Sequence, residues 1–321
     1  MGRLADGRLS IRTVVGRWLA PVLELRVKRR HPGSYPRLTA ASEALVRQQA
    51  KLMSAGNVRR ISFRIVIGLA SAFLLFALLA AYPLLFTNWL PTDAWLAARP
   101  DRSPGDEAHR LHSLALGVIS WGMLAGVVLQ FHRPERKIAA LLMALAAVLA
   151  VACGVMLTGT SFASTATGMA PFLLPILAAC VLHPSARAII GLPRLSLPML
   201  ALTVIAAAPW VAYALGVGET ARMTGPNGDI EHLAFIVTVA LVIPLWALIG
   251  TTDKPGWAFP AGAAVLASAC VGLQSLMFPD ALTGLEPVWA SAALAWCIVY
   301  GGAAWRRSRG ARSTYSLSSD A

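Results

Sequence analysis

Eight long apolar runs limit what this chain of 321 residues can fold into. A helix needs about 20 mostly apolar residues to cross the hydrocarbon core of a bilayer, and each run is close to that length. The runs are apolar on every side and lack the alternation of a membrane-spanning strand, so they predict helices. The predicted spans are residues 65–87, 112–131, 138–158, 166–183, 195–217, 232–250, 258–278 and 287–305.

The composition excludes two broad classes of protein. Hydrophobic residues make up 57% of the chain and charged residues only 13%, whereas soluble domains have roughly 45–50% and about 25%. Disordered chains combine low hydrophobicity with high charge, so that class is excluded as well. The chain also lacks the P-loop, the dinucleotide fingerprint, the HExxH zinc motif and the GxSxG elbow. An integral membrane protein is predicted, and an enzyme is the less favoured interpretation.

The basic residues are distributed unevenly along the chain. Residues 1–60 contain 13 Lys and Arg against 3 Asp and Glu. Eight crossings place 24 of the 28 Lys and Arg on the side of the N-terminus and 4 on the other side. The positive-inside rule then predicts that both termini are cytoplasmic, in the plasma or inner membrane.

The basic N-terminal arm has an amphipathic segment. Apolar residues between positions 11 and 23 recur at helical spacing around Trp18, and arginines surround them. This pattern predicts a helix on the membrane surface, where residues 8–30 contact anionic lipids of the inner leaflet. A nucleic-acid partner is not expected, because the arm has no basic groove interleaved with aromatic residues.

Short matches between the two halves of the chain indicate an internal duplication. Four crossings return the chain to its starting side, so the repeats would share one orientation around an axis along the membrane normal. The predicted divisions are the arm 1–60, repeats 61–190 and 191–305, and a basic tail 306–321. The matches are residues 148–153 with 265–270, 177–180 with 294–297, 105–109 with 228–232, and 80–83 with 206–209.

One of these matches carries ionisable residues, at the start of the second span of each repeat. Asp106, His109 and His112 belong to the first copy, and Asp229, Glu231 and His232 to the second. Residues three apart share one helical face, and the proposed axis relates the two copies. We therefore expect the six side chains to face each other across an outward-facing polar vestibule that takes a small ligand or ion.

The same residues allow other interpretations. Imidazole and carboxylate groups suit a divalent metal such as zinc, and the candidate ligands are Asp106, His109, His112, Asp229 and His232. Histidines at the end of a helical bundle can also ligate haem. Alternatively, Asp106 and Asp229 cap helices, and the histidines are interfacial residues.

Two tryptophans lie deeper in the predicted spans than the others. Trp121 and Trp246 occupy similar depths in the second span of each repeat, where they either flank a ligand cavity or pack between helices. Six other tryptophans near span ends predict interfacial belts, namely Trp89, Trp95, Trp210, Trp257, Trp289 and Trp305. His132 and His183, at the ends of spans, are predicted to be interfacial anchors.

The repeated layout is similar to that of the haem A synthases, in which histidines open the second helix of each repeat. That family also needs histidines in the fourth helix of each repeat. The corresponding span ends here carry Thr167, Met169, Val288 and Ser291, so membership and haem ligation on that plan are not predicted.

Three functional classes follow from the sequence. A transporter-like protein is favoured, since duplicated repeats around an axis commonly build a central pathway. The alternatives are a metal- or haem-dependent membrane enzyme and a non-catalytic scaffold or sensor. No cofactor is assigned.

Overall fold

The computed structural model describes residues 57–98, 110–224, 230–279 and 283–317. Within these ranges the chain is helical and has no β-strand, apart from an isolated bridge between Leu195 and Thr252. Eight of the described helices are long and apolar enough to cross a membrane, as the sequence predicts. We label them α1 Asn57–Ala77, α2 Arg110–Val128, α3 Ile138–Leu157, α4 Phe162–Leu182, α5 Leu197–Thr224, α6 Ile230–Thr251, α7 Ala258–Met277 and α8 Pro287–Leu317.

The first span differs most from its predicted position, residues 65–87. Helix α1 begins at Asn57 and ends at Ala77, and turns lead from it to the short helix Leu84–Thr87. Pro83 has no N–H group and so cannot complete the hydrogen bonds of a continuous helix. Backbone hydrogen bonding rather than apolarity decides where a helix starts, so α1 extends through the arginines before its apolar stretch.

Four of the long helices form the centre of the bundle. In α2, α3, α6 and α7, between 56% and 72% of the apolar stretch is buried, whereas in α1, α4, α5 and α8 the buried share is 17% to 28%. Helix α6 packs against α2, α3, α5 and α7, and α2 also packs against α3 and α7. The second and third helices of each half of the chain are therefore central, and the first and fourth are peripheral.

Helix α1 shows what the peripheral helices present to their surroundings. One face of α1 packs on the bundle, and the opposite face exposes large apolar side chains. The buried residues are Phe63, Ile67, Ala70 and Leu74, and the exposed ones are Ile61, Ile65, Leu69, Phe73 and Phe76. A contiguous exposed apolar face is unfavourable in water, so this surface suits contact with lipid acyl chains.

Small residues allow the central helices to approach closely. A Cβ atom on Gly126 of α2 would lie 2.5 Å from the carbonyl oxygen of Ala140 in α3. Gly154 of α3 similarly faces the Ala234 carbonyl of α6, where a Cβ would lie at 2.9 Å. Such contacts are typical of helix packing in membranes, where close backbone approach replaces the hydrophobic driving force.

The two ends of the bundle differ in chemistry. At one end, hydrogen bonds join the connections between helices, and we call it the Arg133 end. There Ala139 N donates to Pro255 O at 3.0 Å, and Ser196 N donates to Thr251 O at 2.8 Å. The opposite end contains the start of α2, and we call it the Arg110 end.

Basic side chains cap helix C-termini at the Arg133 end. Arg59 donates to the last carbonyls of α4, Arg307 to those that end α6, and Lys254 to those that end the short helix Ala186–Ile190. The bonds run from Arg59 to Val181 O and Leu182 O (2.8 and 3.3 Å), from Arg307 to Gly250 O, Thr251 O and Thr252 O (3.1, 3.1 and 2.8 Å), and from Lys254 Nζ to Ala188 O, Ile189 O and Gly191 O (2.6, 2.9 and 2.8 Å). Cations are favourable here because the unpaired carbonyls give a helix C-terminus partial negative charge.

The predicted division into an arm, two repeats and a tail stays a prediction. The chain divides into two units, Met1–Val58 and Arg59–Ala321. All described residues except the first two of α1 belong to the second unit. Residues 8–30, predicted to contact anionic lipids, lie outside the described residues. Helix α8 continues to Leu317, so the segment predicted as a tail from position 306 begins inside a helix.

Candidate functional site

A buried arginine organises the Arg110 end. Arg110 begins α2 with no exposed surface, and its Nη1 donates to Leu90 O at 2.7 Å and to Asn88 O at 3.3 Å. Its guanidinium carbon lies 4.8 Å from the Trp95 ring centroid and 4.2 Å from that of Phe278. Aromatic faces and carbonyl oxygens are both favourable neighbours of a buried guanidinium.

The connection after α1 supplies all of these neighbours except Phe278, which follows α7. Trp95, in the short helix Thr92–Ala98, is fully buried and donates its indole N–H to Asn88 Oδ1 at 3.0 Å. Asn88 in turn donates to Leu84 O. Trp95 was predicted to belong to an interfacial belt, and that prediction is wrong, because its ring lies under the guanidinium of Arg110.

His112 and Ser113 lie in the first turn of α2, and both are buried. Ser113 Oγ lies 3.4 Å from His112 Nε2. The structure therefore places one of the predicted vestibule residues, His112, in the interior of the Arg110 end, on a helix of the central bundle.

Gln274 of α7 lies in the central bundle one helical turn before Phe278, whose ring contacts Arg110. Its side chain has no exposed surface, and neither Nε2 nor Oε1 has a hydrogen-bond partner among the described residues. The adjacent Ser275, by contrast, donates to Val271 O at 2.9 Å and accepts from Leu285 N at 3.1 Å. A buried amide costs free energy unless something satisfies it, so Gln274 marks a position where a polar ligand would be stabilised.

Most of the other predicted vestibule residues are not placed. Asp106, His109 and Asp229 lie outside the described residues. Glu231 and His232 belong to the first turn of α6, but their side chains lie outside the described part as well. The predicted encounter of the two GDxxH segments, and the predicted metal ligand set with it, stay predictions. Within residues 57–98, 110–224, 230–279 and 283–317, no group of three His, Cys, Asp or Glu side chains is placed to hold a metal ion.

The two deeper tryptophans occupy different environments. Trp246 is buried in the centre, donates to Met143 O at 3.1 Å and packs over Gly122. Trp121 is 38% exposed and donates to Tyr82 O at 2.7 Å. Its ring makes edge contacts with those of Tyr82 and Phe86. These are packing contacts, in the interior for one ring and at the periphery for the other.

His183, at the end of α4, is fully buried rather than an interfacial anchor as predicted. Its Nδ1 accepts from Ser185 N at 3.0 Å, and its Nε2 lies 3.2 Å from Pro134 O. This pattern fits only the neutral ring that is protonated on Nε2, because a second proton on Nδ1 would face the Ser185 N–H group. Burial is the main reason that the pKa of His183 is lowered from 6.5, and nearby Arg59 lowers it further, against opposing effects of Pro134 O and Glu135.

Sequence reasoning missed a groove between α5 and α8. This groove of about 850 Å³ opens between the two helices, which are joined by a bond from Trp296 Nε1 to Leu202 O at 2.9 Å. Aromatic side chains dominate its lining, and Glu286 is an acidic group among them. The aromatic lining residues are Trp210, Tyr213, Trp289 and Trp296. The sequence signal was Trp210 and Trp289, which the sequence predicts to be members of interfacial belts.

Comparison of the chain with protein-family models, curated proteins and solved structures found no match.

Proposed function

We propose that this multi-spanning membrane protein is transporter-like and binds a small polar solute or ion at the Arg110 end of the central bundle. The observation that carries the proposal is Gln274, whose buried amide offers a donor and an acceptor that no described residue satisfies. Polar groups buried in membrane proteins are costly and commonly mark ligand pathways. His112 and Ser113 contribute further polar groups at the same end.

The arrangement of helices supports a duplicated architecture. The central helices α2, α3, α6 and α7 are the second and third members of the two proposed repeats, and the peripheral helices are the first and fourth. Repeats related by an axis along the membrane normal would produce this alternation. Trp121 and Trp246, at corresponding positions, differ in burial, so the two halves have diverged there.

The proposed orientation places the Arg133 end in the cytoplasm, in line with the positive-inside rule. A reporter enzyme that works only in the cytoplasm should then be active when it is fused after Asp320. If a reporter that works only outside the cytoplasm is active there instead, the vestibule faces the cytoplasm and an outward-facing site is refuted.

The binding site is tested with solutes that stabilise the purified protein. Thermal unfolding is followed in detergent with phosphate, small carboxylic acids, amino acids, sugars and Zn²⁺. A solute at 100 times its Kd adds about 2.7 kcal/mol of stability. We expect at least one solute to stabilise the wild-type protein and the Gln130→Leu control, whose amide lies at the Arg133 end, but not Gln274→Leu.

Two outcomes contradict this proposal. A solute that stabilises Gln274→Leu as much as the wild-type protein binds elsewhere. If Zn²⁺ alone stabilises the protein, and His109→Ala with His232→Ala abolishes the effect, the metal-dependent alternative takes the place of the transporter-like one.

The groove between α5 and α8 favours a second candidate, the binding of a lipophilic cation. Pro209 has no N–H group and cannot donate to Ile205 O. That carbonyl oxygen therefore adds a hydrogen-bond acceptor to the aromatic rings and Glu286 that line the groove. Tetraphenylphosphonium should bind Glu286→Gln about three- to fivefold more weakly than the wild-type protein, the effect of one partly solvated charge pair. The control Asp93→Asn removes another exposed carboxylate and should leave binding unchanged. Equal binding to all three proteins would exclude this site.

A further inference from the structure

A second pocket lies at the Arg133 end, far along the bundle from Gln274. It has a volume of about 250 Å³ and lies between the start of α1, the end of α2 and the connections that follow α2 and α4. The residues that line it are Arg60, Phe63, Arg64, Gln130, Phe131, Arg133, Pro134, Glu135 and Pro184.

The charge around this pocket is positive. Three arginines, Arg60, Arg64 and Arg133, face one carboxylate, Glu135. The side chains of these three arginines have no hydrogen bond or ion pair with any residue that the structure describes, whereas the neighbouring Arg59 caps α4. Arg60 and Arg64 are four residues apart on α1 and therefore share one face of the helix. The pocket is thus lined by arginine side chains that do not cap helices.

The backbone at Arg133 is unusual. Its φ of 51° and ψ of 61° lie in the left-handed region, which an arginine rarely adopts. The turn is closed by a bond from Arg136 N to Arg133 O at 2.9 Å, and Pro134 O lies 3.2 Å from Nε2 of the buried His183. Such conformations persist where the surroundings hold them, and they cluster at ligand sites.

Gln130 adds a buried acceptor to the same pocket. Its Nε2 donates to Gly126 O at 3.1 Å and to Lys137 O at 2.9 Å, which fixes the orientation of the amide. Its Oε1 is buried and has no donor within the described part of the chain. A ligand in this pocket therefore meets guanidinium donors and one amide acceptor that requires a hydroxyl or amine group.

We propose that this pocket binds the headgroup of an anionic membrane phospholipid that carries a hydroxyl, as phosphatidylglycerol does. Guanidinium groups match the oxygens of a phosphodiester, and the glycerol hydroxyl donates to Gln130 Oε1. Phe131, which lines the pocket, is 50% exposed, and exposed apolar side chains adjoin the lining residues along α1 and α2, with exposed fractions of 59% for Ile61 and 43% for Val128. The acyl chains lie along this surface, which a soluble phosphate would leave uncovered. The lining residues of this pocket are not among residues 8–30, which the sequence predicts to contact anionic lipids.

The experiment measures phospholipid binding to the purified full-length protein by native mass spectrometry in detergent. Dioleoylphosphatidylglycerol is titrated beside dioleoylphosphatidylcholine. The test variant is Arg60→Gln with Arg64→Gln and Arg133→Gln. The control is Arg136→Gln with Arg187→Gln and Arg194→Gln, which removes three exposed arginines from the same end of the bundle without touching the pocket lining.

We expect one phosphatidylglycerol to bind the wild-type protein and the control with similar affinity, and to bind the test variant at least about tenfold more weakly. Phosphatidylcholine binding should be equal in all three proteins. Equal losses of phosphatidylglycerol binding in the test and control variants would show diffuse attraction to a basic surface and overturn the proposal. Displacement of the lipid by millimolar glycerol 1-phosphate would also overturn it, since the site would then serve a soluble phosphate. Unfolding midpoints of both variants in phosphatidylcholine micelles, expected within a few degrees of wild type, establish that they are folded.

Discussion

Gln274→Leu should stabilise the protein in the absence of any ligand. Leu has a similar volume and no polar atoms, and Gln274 leaves a donor and an acceptor unpaired in the central bundle. One unsatisfied buried polar group costs about 1–3 kcal/mol, so relieving two of them should contribute at least about 2 kcal/mol. The unfolding entropy of about 2.1 cal/mol/K per residue amounts to about 0.7 kcal/mol/K for a chain of 321 residues, so a gain of that size raises the unfolding midpoint by about 3 °C.

The matched control is Gln130→Leu at the other end of the bundle. Gln130 is equally buried, but its Nε2 makes two hydrogen bonds to backbone carbonyls. A hydrogen bond has a net worth of about 0.5–1.5 kcal/mol, and an unsatisfied buried polar group costs about 1–3 kcal/mol. Because Gln130 Oε1 has no donor among the described residues, the two lost bonds and the relieved acceptor nearly cancel, and this variant should change stability little. Thermal unfolding of both variants, followed by tryptophan fluorescence in one detergent, tests whether only Gln274→Leu raises the midpoint.

The result that refutes this reasoning is a lower midpoint for Gln274→Leu. The amide would then be satisfied in the native protein, and the central polar site would lose its main support. Equal gains in both variants would also show that the difference in partners between Gln274 and Gln130 does not control their stability.

Three further predictions concern packing, charge and pH. Gly126→Ala should lose about 1–3 kcal/mol of unfolding free energy because its methyl group would meet the α3 backbone. The control Gly68→Ala has open space around it and should be neutral or stabilising. Equal effects of the two substitutions would rule out close packing at Gly126. Arg307→Met should lose about 3 kcal/mol with the cap of α6, and Arg306→Met, an exposed neighbour, should change stability little in the same unfolding assay. Since the pKa of His183 is lowered from 6.5 by burial, the unfolded chain binds more protons there, so stability is fully present above pH 6.5 and falls as the pH drops below it. His183→Gln should flatten this dependence between pH 7.5 and 5.5, and an unchanged slope would assign the effect to another group.

Much of the fold was predictable because hydrophobic length is the dominant constraint in a bilayer. All eight spans are present, and α4 continues through Pro171 and Pro175, as is tolerated where neighbouring groups satisfy the freed carbonyls. The error in α1 has a local cause. The helix begins with polar residues before the apolar run and ends before Pro83, so its bounds lie closer to the N-terminus than the apolar run does. Which helices are central could not be predicted from apolarity, because lipid-facing and buried residues are both apolar.

The candidate site was harder to predict from sequence. Ionisable residues point to His112 and its neighbours, whereas in the sequence Gln274 is only one of several small polar groups in the spans and Arg110 only a charge next to a span. Their importance depends on burial and on partners from distant segments, such as Leu90 O and Phe278 for Arg110. Spacing along one helix contains no information about those contacts.

The cations that cap helices at the Arg133 end complicate the interpretation of topology experiments. Deleting Arg59, Lys254 or Arg307 removes a charge and also leaves backbone carbonyls without a donor. A reporter that changes location in such a variant would report misfolding and reorientation together. Arg60 and Arg133 make no such bonds to described residues, so they are cleaner positions for charge deletion. A capping cation stabilises its helix in either orientation of the chain. The cations that cap helices therefore stabilise the bundle, whereas the arginines that cap no helix contribute mainly to the orientation of the chain in the membrane.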